Sequence, residues 1–320
     1  MNKLLSIGEA LIDFIPEQSE VGIKDVQRFL PIVGGAPANV CGAFVKLGGE
    51  AEMITQLGAD PFGDKIVEEF ERYGIGNNYI KRTEEANTAL AFVALFEDGN
   101  REFSFYRKPS ADMLFRAEDV RKEWFEKEYA LHFCSVSLGN YPMKEAHKKA
   151  IEFAKQSGLL ISFDPNLRKA LWNDDKALYE TVHEFIPMAH ILKISDEELE
   201  FLTGTTDMEK AKEQLFRGNV EMILYTKGAL GAECYTKKVS AKEKCAKVKA
   251  VDTTGAGDGF MGAFLFQLFQ NRITAEKLAE ISEERLVEFL RFANHFCSIS
   301  VQKKGAIASY PTMEEINTGK

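Results

Sequence analysis

The sequence predicts an α/β fold in which helices cover both faces of a mostly parallel central sheet, with a small β lid attached. From 130 to 226, short apolar runs alternate with segments of helical periodicity, which is typical of right-handed crossovers between parallel strands. Strand signals at approximately 9–33 and 86–110 do not fit this alternation, so we assign them to the lid. The chain has 320 residues, 45% of them hydrophobic, and no composition break, so we expect one domain over 1–320.

The first part of the chain contains the lid strands and two helices. In order, a strand is predicted at 3–7 and helices that end before glycines are predicted at 40–47 and 66–73. The segments 90–96 and 101–107 flank Asp98-Gly99, a turn pair that predicts a β-hairpin. Phe103 and Phe105 then share one face of the hairpin, because strand side chains alternate.

The second part carries the regular alternation. Apolar runs stand at 130–136, 159–163, 190–194 and 220–226, and helices are predicted at 142–157, 174–186, 196–202 and 207–217. A hairpin at 231–250 and helices at 257–270 and 282–303 complete the chain. This part therefore supplies most of the central sheet.

Charge and cysteine usage limit the partners and the compartment. The net charge of −9 and the pI near 5.3 repel nucleic-acid phosphates and anionic membrane surfaces, so we expect neither as a partner. The five cysteines are odd in number and contain no CxxC pair, which favours a reducing cytoplasm. The longest uncharged run, 29–45, is interrupted by prolines and glycines, so we expect no membrane span and no export.

The most informative segment is Asp252-Thr253-Thr254-Gly255-Ala256-Gly257-Asp258-Gly259, between an apolar run and a helix. Glycines and free N–H groups at a helix N-terminus form an anion site, and phosphate is its natural ligand. A carboxylate there repels the anion unless it is needed for proton transfer, which makes Asp258 a candidate base. Alternatively, Asp258 is only a first-turn charge, favourable by about 0.3–1 kcal/mol.

Two common nucleotide-binding motifs are alternative explanations for a phosphate site in this sequence. No GxxxxGK[ST] sequence occurs, so a P-loop is excluded. Gly257, Gly259 and Gly262 have GxGxxG spacing, but that fingerprint opens a βαβ unit, whereas almost only helix follows here. A dinucleotide site is therefore not expected.

A second glycine turn, Gly34-Gly35-Ala36-Pro37-Ala38-Asn39, also leads into a helix. Asn39 can donate and accept hydrogen bonds, which suits a polyhydroxyl ligand, or it simply caps the helix. Asp13 follows an apolar strand and could accept two hydroxyls, although a solvated turn residue is the alternative.

Polar residues follow two of the predicted parallel strands. Asp164-Pro165-Asn166 stands at the carboxyl end of one run, where open α/β sheets bind ligands, and turn chemistry alone would also explain it. Ser195 and Glu198 have capping-box spacing, and the functional alternative makes Glu198 a magnesium partner through water. The five histidines show no ligand spacing, so we expect them to be structural or surface residues.

The two glycine motifs together carry a family resemblance. The segment from Asp252 to Asp258 resembles the C-terminal signature of the PfkB (ribokinase-like) carbohydrate kinases, and Gly34 to Asn39 resembles their N-terminal signature. Further similar segments are Gly8 to Asp13, Phe105 to Arg107 with Pro109 to Asp112, Asp164 to Asn166 with Arg168, and Ser195 to Glu198. The combination spans the chain and is similar to bacterial fructokinases.

The resemblance implies a ribokinase-like three-layer α/β/α fold with the lid over a sugar, ATP as phosphoryl donor with Mg²⁺, and a homodimer through the lid as one possible assembly. It implies Asp258 as the base and Gly255, Ala256 and Gly257 as the anion hole. Implied sugar-binding positions are Asp13, Gly34, Gly35, Asn39, Phe105, Arg107 and Arg168. Implied nucleotide positions are Asn166, Lys193, Thr226, Gly228, Gly231 and Asn294. Implied metal positions are Glu198 for magnesium through water and, as in some members, Asp252 and Thr254 for potassium.

The implied reaction is the ATP-dependent phosphorylation of D-fructose to fructose 6-phosphate. Within the family, 2-keto-3-deoxygluconate kinase or another sugar kinase is the alternative, and it would use Tyr106, Arg107 and Arg168 for the substrate carboxylate. Ala36-Pro37 after the paired glycines resembles fructokinases, since the keto-acid kinases tend to have Gly-Asp there. A sugar-sensing protein on an inactive scaffold would be expected to have lost the aspartate or the glycines, and both are kept.

Overall fold

The computed structural model describes residues 2–18, 20–95 and 101–318. The strands are β1 Leu4–Ile7, β2 Leu11–Pro16, β3 Phe29–Gly34, β4 Ala51–Gly58, β5 Gly76–Thr83, β6 Ala89–Leu95, β7 Arg101–Tyr106, β8 Ala130–Cys134, β9 Leu160–Asp164, β10 Ile191–Ser195, β11 Met222–Thr226, β12 Ala232–Thr236 and β13 Ser240–Glu243. The helices are α1 Ala36–Lys46, α2 Pro61–Tyr73, α3 Pro142–Gln156, α4 Asp175–Phe185, α5 Asp196–Thr203, α6 Met208–Leu215, α7 Ala256–Gln270, α8 Glu283–Ser300 and α9 Met313–Thr318. Within the described ranges, no helix is long and apolar enough to cross a membrane.

A nine-stranded sheet forms the centre of the fold, in the order β13-β12-β11-β10-β9-β8-β1-β4-β5. The strands from β11 to β5 in that order pair in parallel, and β12 and β13 add an antiparallel edge. Buried apolar clusters lie between the sheet and the helices. The predicted mostly parallel α/β fold is confirmed, and the carboxyl ends of β1, β8, β9, β10 and β11 meet at one edge.

Strands β4 and β5, at one edge of the central sheet, were not predicted. All eight residues of β4 are buried, yet Glu52, Thr55 and Gln56 interrupt its apolar character. The carboxylate of Glu52 accepts hydrogen bonds from Lys3 Nζ at 2.7 Å and Asn78 Nδ2 at 2.8 Å. Because the fold compensates the charge of Glu52, the strand tolerates polar residues and lacks the apolar run by which buried strands are recognised.

The lid is a separate four-stranded sheet in the order β3-β2-β6-β7. The predicted hairpin strands β6 and β7 pair antiparallel, and the predicted turn Asp98-Gly99 lies outside the described residues. The rings of Phe103 and Phe105 stack with centroids 5.5 Å apart on the face toward the central sheet. The division into a single domain over 1–320 stays a prediction.

Helices α1 and α7 pack against each other beneath the lid. Each begins at a glycine that follows a tight turn, Gly35 for α1 and Gly255 for α7. Both N-termini therefore open on the same space between the lid and the carboxyl edge of the sheet.

Candidate active site

A cavity of about 300 Å³ lies between the lid and the carboxyl edge of the central sheet. The predicted site residues that line it are Asp13, Gly35, Asn39, Phe105, Asn166, Arg168, Lys193, Glu198, Asp252, Thr254, Gly255, Ala256, Gly257 and Asp258. Ligands of open α/β sheets bind at this edge, because the loops after the strands and the helix N-termini converge there. Fourteen residues chosen from separate sequence segments thus share one cavity.

Asp258 lies in the first turn of α7 with 7% of its surface exposed. Its Oδ2 accepts a hydrogen bond from Asn39 Nδ2 at 2.8 Å, and its Oδ1 accepts one from Asn166 Nδ2 at 3.3 Å. A carboxylate needed only for the helix dipole would be solvated at the surface. The burial and the two amide donors instead favour a carboxylate held in a fixed orientation toward the cavity.

Burial raises the pKa of Asp258 above the usual 3.8 of an aspartate, because the charged form loses its hydration. The hydrogen bond from Asn39 opposes this shift, and so do the charges of Lys193 and Arg168. A carboxylate with a raised pKa is a better proton acceptor than an exposed one.

Lys193 is buried beside the N-terminus of α7. Its Nζ lies 2.8 Å from Oδ2 of Asp164, a fully buried residue at the end of β9. Burial raises the pKa of Asp164 to about 7 even with this cation adjacent. The carboxylates around Lys193 raise its own pKa despite burial. A Cβ on Gly257 would stand 3.1 Å from Nζ, so a fixed positive charge borders the α7 turn.

The pH dependence of kcat/KM on its acidic side (the acidic limb) tests whether the charge of Lys193 lowers the pKa of Asp258. Asp258 can accept a proton only when it is ionised, so kcat/KM for the sugar should fall as the pH drops through its raised pKa. Lys193→Met removes a charge that lowers this pKa, so the limb should move to higher pH. Arg168→Met is the matched control, because Arg168 is exposed and its charge is screened by water, and it should move the limb less. A limb that stays in place or moves to lower pH in Lys193→Met would contradict the arrangement.

The turn before α7 is held by groups outside the helix. Gly255 has a left-handed φ of 71°, and its carbonyl accepts a hydrogen bond from Tyr310 Oη at 2.7 Å. Asp252 accepts from Thr254 N at 2.9 Å through Oδ1 and from Gly305 N at 2.9 Å through Oδ2. Groups of the protein itself therefore hold the turn in a defined conformation.

The N–H groups in the first turn of α7 are not equivalent. The N–H of Ala256 donates to Thr253 O at 3.1 Å. The N–H groups of Gly257 and Asp258 belong to the first helical turn, where no intrahelical acceptor exists. The helix dipole adds positive potential at the same place, so this end of the cavity suits an anion.

Asp13 lies on the lid and not after a strand. It is the third residue of β2, half-buried, and it faces the cavity, so its prediction as a residue that follows a strand is wrong. A Cβ at Gly34, the last residue of the neighbouring strand β3, would stand 2.2 Å from Asp13 Oδ2. A side chain at 34 would therefore displace the Asp13 carboxylate from this position.

Asn39 does not cap α1. The N-cap is Gly35, and the Asn39 amide lies in the cavity and bonds to Asp258. Its Oδ1 is buried and has no hydrogen-bond partner among the residues that the structure describes. An unpaired buried acceptor is costly, so this oxygen calls for a donor from a bound molecule.

Ser195 and Glu198 form the predicted capping box at the start of α5. Glu198 Oε2 accepts from Ser195 N at 2.8 Å, and Oε1 accepts from Leu167 N at 2.7 Å. Glu198 thereby joins the loop after β9 to α5, while it still borders the cavity.

Some predicted positions lie elsewhere. Arg107 is buried, its guanidinium donates to Asp112, and it is not among the residues that line the cavity. Thr226, Gly228 and Gly231 lie at the end of β11 and in the turn that follows. Asn294 on α8 lines a second cavity of about 610 Å³, and its Nδ2 donates to Glu243 O at 3.1 Å.

Sequence reasoning did not select Glu9, which is 2% exposed and lines the cavity. Its Oε1 accepts from Ala36 N at 3.2 Å and its Oε2 from Ser137 Oγ at 2.8 Å. Burial raises its pKa, while the charge of Arg107 opposes the shift. A lone charge within the otherwise uncharged stretch 4–12 was the sequence signal that could have identified it.

Comparison with known proteins gives consistent sequence matches. The model of the pfkB family carbohydrate kinases matches residues 1–313. A protein of Arabidopsis thaliana named "Probable fructokinase-2" is 43% identical over 311 residues, covering 97% of this chain and 93% of that protein. "Fructokinase-1" of Zea mays is 40% identical over 314 residues, covering 98% of this chain and 96% of that protein.

Solved structures agree with the sequence matches. The structure of fructokinase with bound ATP from Xylella fastidiosa is 34% identical, with a TM-score of 0.91 over 99% of this chain and 98% of that one. The structure of fructokinase from Vibrio cholerae O395 in its fructose, ADP and calcium ion bound form is 30% identical, with a TM-score of 0.88 over 99% of this chain and 98% of that one.

Proposed function

This chain belongs to the pfkB family of carbohydrate kinases, and we propose that it transfers the γ-phosphate of ATP to the 6-hydroxyl of D-fructose. The observation that carries the proposal is the buried Asp258, fixed by Asn39 and Asn166 at the N-terminus of α7 inside the cavity beneath the lid. The names of the similar proteins support fructose as the acceptor.

In the proposed reaction, Asp258 takes the proton of the sugar hydroxyl as the hydroxyl oxygen attacks the γ-phosphorus, and ADP leaves. The N–H groups of Gly257 and Asp258, in the first turn of α7, stabilise the charge on the equatorial oxygens, with Lys193 as a fixed cation nearby. Phosphoryl transfer demands mainly positioning and charge stabilisation. A cluster of backbone N–H groups supplies both without the lysine of a P-loop.

The sugar would lie against the lid. Asp13 and Asn39 supply acceptors for hydroxyl groups, while Phe103 and Phe105 cover the cavity from β7. Excluding water from the γ-phosphate protects ATP from hydrolysis, so the lid strands have a chemical purpose. Leu30 and Tyr106 are exposed apolar side chains of this sheet, 56% and 63% exposed, and would be central to a homodimer through the lid.

The nucleotide would extend from the α7 turn past Thr226, Gly228 and Gly231 toward the second cavity at Asn294. Within the described residues no cluster of three His, Cys, Asp or Glu side chains could hold a metal ion. We propose that Mg²⁺ is held mainly by ATP phosphates and water, the usual mode in kinases, with Glu198 as an outer partner. Bound Mg²⁺ would neutralise phosphate charge. The potassium role of Asp252 and Thr254 stays a prediction.

We also propose a reducing cytoplasm as the location, which the odd number of cysteines and the lack of a CxxC pair support.

An ATP-dependent activity panel over D-fructose, 2-keto-3-deoxygluconate, ribose and a nucleoside tests the proposed function. We expect kcat/KM to be highest for fructose, by at least about tenfold over the keto acid, and the product to be fructose 6-phosphate by ³¹P NMR. A preference for 2-keto-3-deoxygluconate would overturn the choice of fructose, and Arg168→Ala should then affect that substrate most.

The structure gives a reason to place the keto acid second. Of the three groups expected to bind its carboxylate, only Arg168 lines the cavity. Arg107 is paired with Asp112, and the ring of Tyr106 packs against Phe92 on the other face of the lid. Binding of fructose without phosphorylation of any panel compound would instead support the inactive, sugar-sensing alternative.

A further inference from the structure

The two helix N-termini that open on the cavity are not equivalent. The first turn of α7 has N–H groups without an intrahelical acceptor, and Lys193 lies beside it. The N-cap residue of α1 is Gly35, which has no side chain to cap the first turn. The N–H of Ala36 instead donates to the carboxylate of Glu9, which is remote in sequence, at 3.2 Å. The positive end of α1 is therefore already occupied by a carboxylate that belongs to the protein.

The charges around Glu9 leave this end of the cavity acidic. Arg107, the cation whose charge acts on Glu9, forms its ion pair with Asp112 and does not line the cavity. Together the three side chains carry one net negative charge when ionised. The two groups that donate to Glu9, Ala36 N–H and Ser137 Oγ, are neutral, so each oxygen of Glu9 keeps a lone pair for a further donor.

A second, independent observation points to a ligand beside the first turns of α1. Asn39 Oδ1, three residues along α1 from Ala36, is buried in the cavity wall and has no partner within the described part of the chain. Glu9 and Asn39 thus both offer acceptors to the cavity. A sugar hydroxyl satisfies an acceptor by donating its hydrogen, whereas a phosphate dianion has no hydrogen to donate.

We propose that Glu9 is a specificity-determining residue. Its carboxylate accepts a hydrogen bond from a sugar hydroxyl at the α1 end of the cavity and repels sugars that carry a phosphate there. The inference rests on the proposed function, and it deepens it by restricting the acceptor to unphosphorylated sugars. The two helix N-termini then bind different groups: the positive first turn of α7 binds phosphate, and the first turn of α1, where Glu9 lies, binds neutral hydroxyls.

Binding measurements test the inference independently of phosphoryl transfer. Calorimetric titration in the absence of ATP would give the Kd values of fructose and fructose 1-phosphate, whose phosphate is remote from the 6-hydroxyl. For the wild type we expect fructose 1-phosphate to bind at least about 100-fold more weakly, since like charges repel in a buried site. Comparable affinities would overturn the proposal whatever the variants do, and so would absence of fructose binding.

Glu9→Gln keeps the shape and an acceptor for the Ala36 N–H while it removes the charge. We expect about tenfold weaker fructose binding and a gain of at least about tenfold in the affinity of fructose 1-phosphate relative to fructose. Ser137→Ala is the matched control, because it removes the other hydrogen bond of Glu9 and keeps the charge, so the ratio should remain that of the wild type.

If Glu9 has only a structural role, both variants should have lower melting temperatures, and their affinities for fructose and fructose 1-phosphate should change equally. That result would overturn the proposal. Failure of the proposed function has a different signature. In that case the wild type binds fructose with the expected selectivity and still fails to phosphorylate it in the presence of ATP.

Discussion

Asp258→Asn should lower kcat by roughly 10²–10⁴ while the protein stays folded. Asparagine has the size of aspartate and still accepts one hydrogen bond, but it cannot take the hydroxyl proton. Removal of a negative charge beside the γ-phosphate relieves repulsion, so the affinity for ATP should be unchanged or slightly higher. Measurement of kcat, the Kd of ATP and the melting temperature on one preparation separates loss of the base from loss of binding or folding.

Asp196→Asn is the matched control for the helix-dipole effect. Asp196 is also a first-turn carboxylate, at the start of α5, but it is exposed and does not line the cavity. Its loss should cost at most about 1 kcal/mol of stability and leave turnover near normal. If Asp258→Asn behaves like this control, with turnover within a fewfold of normal, Asp258 is only a first-turn charge and the proposed mechanism is wrong.

The alternation of strands and helices made the central fold predictable. Strands β8, β9, β10 and β11 are short apolar runs between amphipathic helices, so local periodicity identifies them. Strand β4 shows the limit of that signal. Its buried Gln56 donates to Ala111 O at 2.8 Å, and a partner 55 residues away cannot be inferred from a local pattern.

The glycine turns made the phosphate end of the site predictable, because a turn into a helix has a local signature. Long-range partners decide the roles of the other residues. Arg107 was expected on the sugar side, and its nearest charge is instead Asp112 in the following loop. Glu9 borders the cavity only because α1 and the loop after β8 bring Ala36 and Ser137 to it. The spacing of residues along the sequence does not predict these long-range contacts.

Gly255→Ala should lower kcat by about 100-fold, because the anion-binding N–H groups follow directly from this turn. Gly255 has a φ of 71°, and an added Cβ would stand 2.7 Å from both the Cβ of Ala306 and Oη of Tyr310. Ala306 and Tyr310 are buried and packed, so the turn and not its surroundings must shift. The shift would also weaken the hydrogen bond from Tyr310 to the Gly255 carbonyl.

The control for Gly255→Ala is Gly74→Ala, which carries the same backbone strain far from the cavity. Gly74 ends α2 with a left-handed φ of 78°, and an added Cβ there has no atom within 4 Å among the residues described. Both variants incur the left-handed penalty of about 1–2 kcal/mol, but only Gly255→Ala also meets a clash, so it should have the lower melting temperature. Gly74→Ala should keep its kcat. A stable Gly255→Ala with normal turnover, or equal losses of turnover in both variants, would show that the α7 turn does not hold the transferred phosphate.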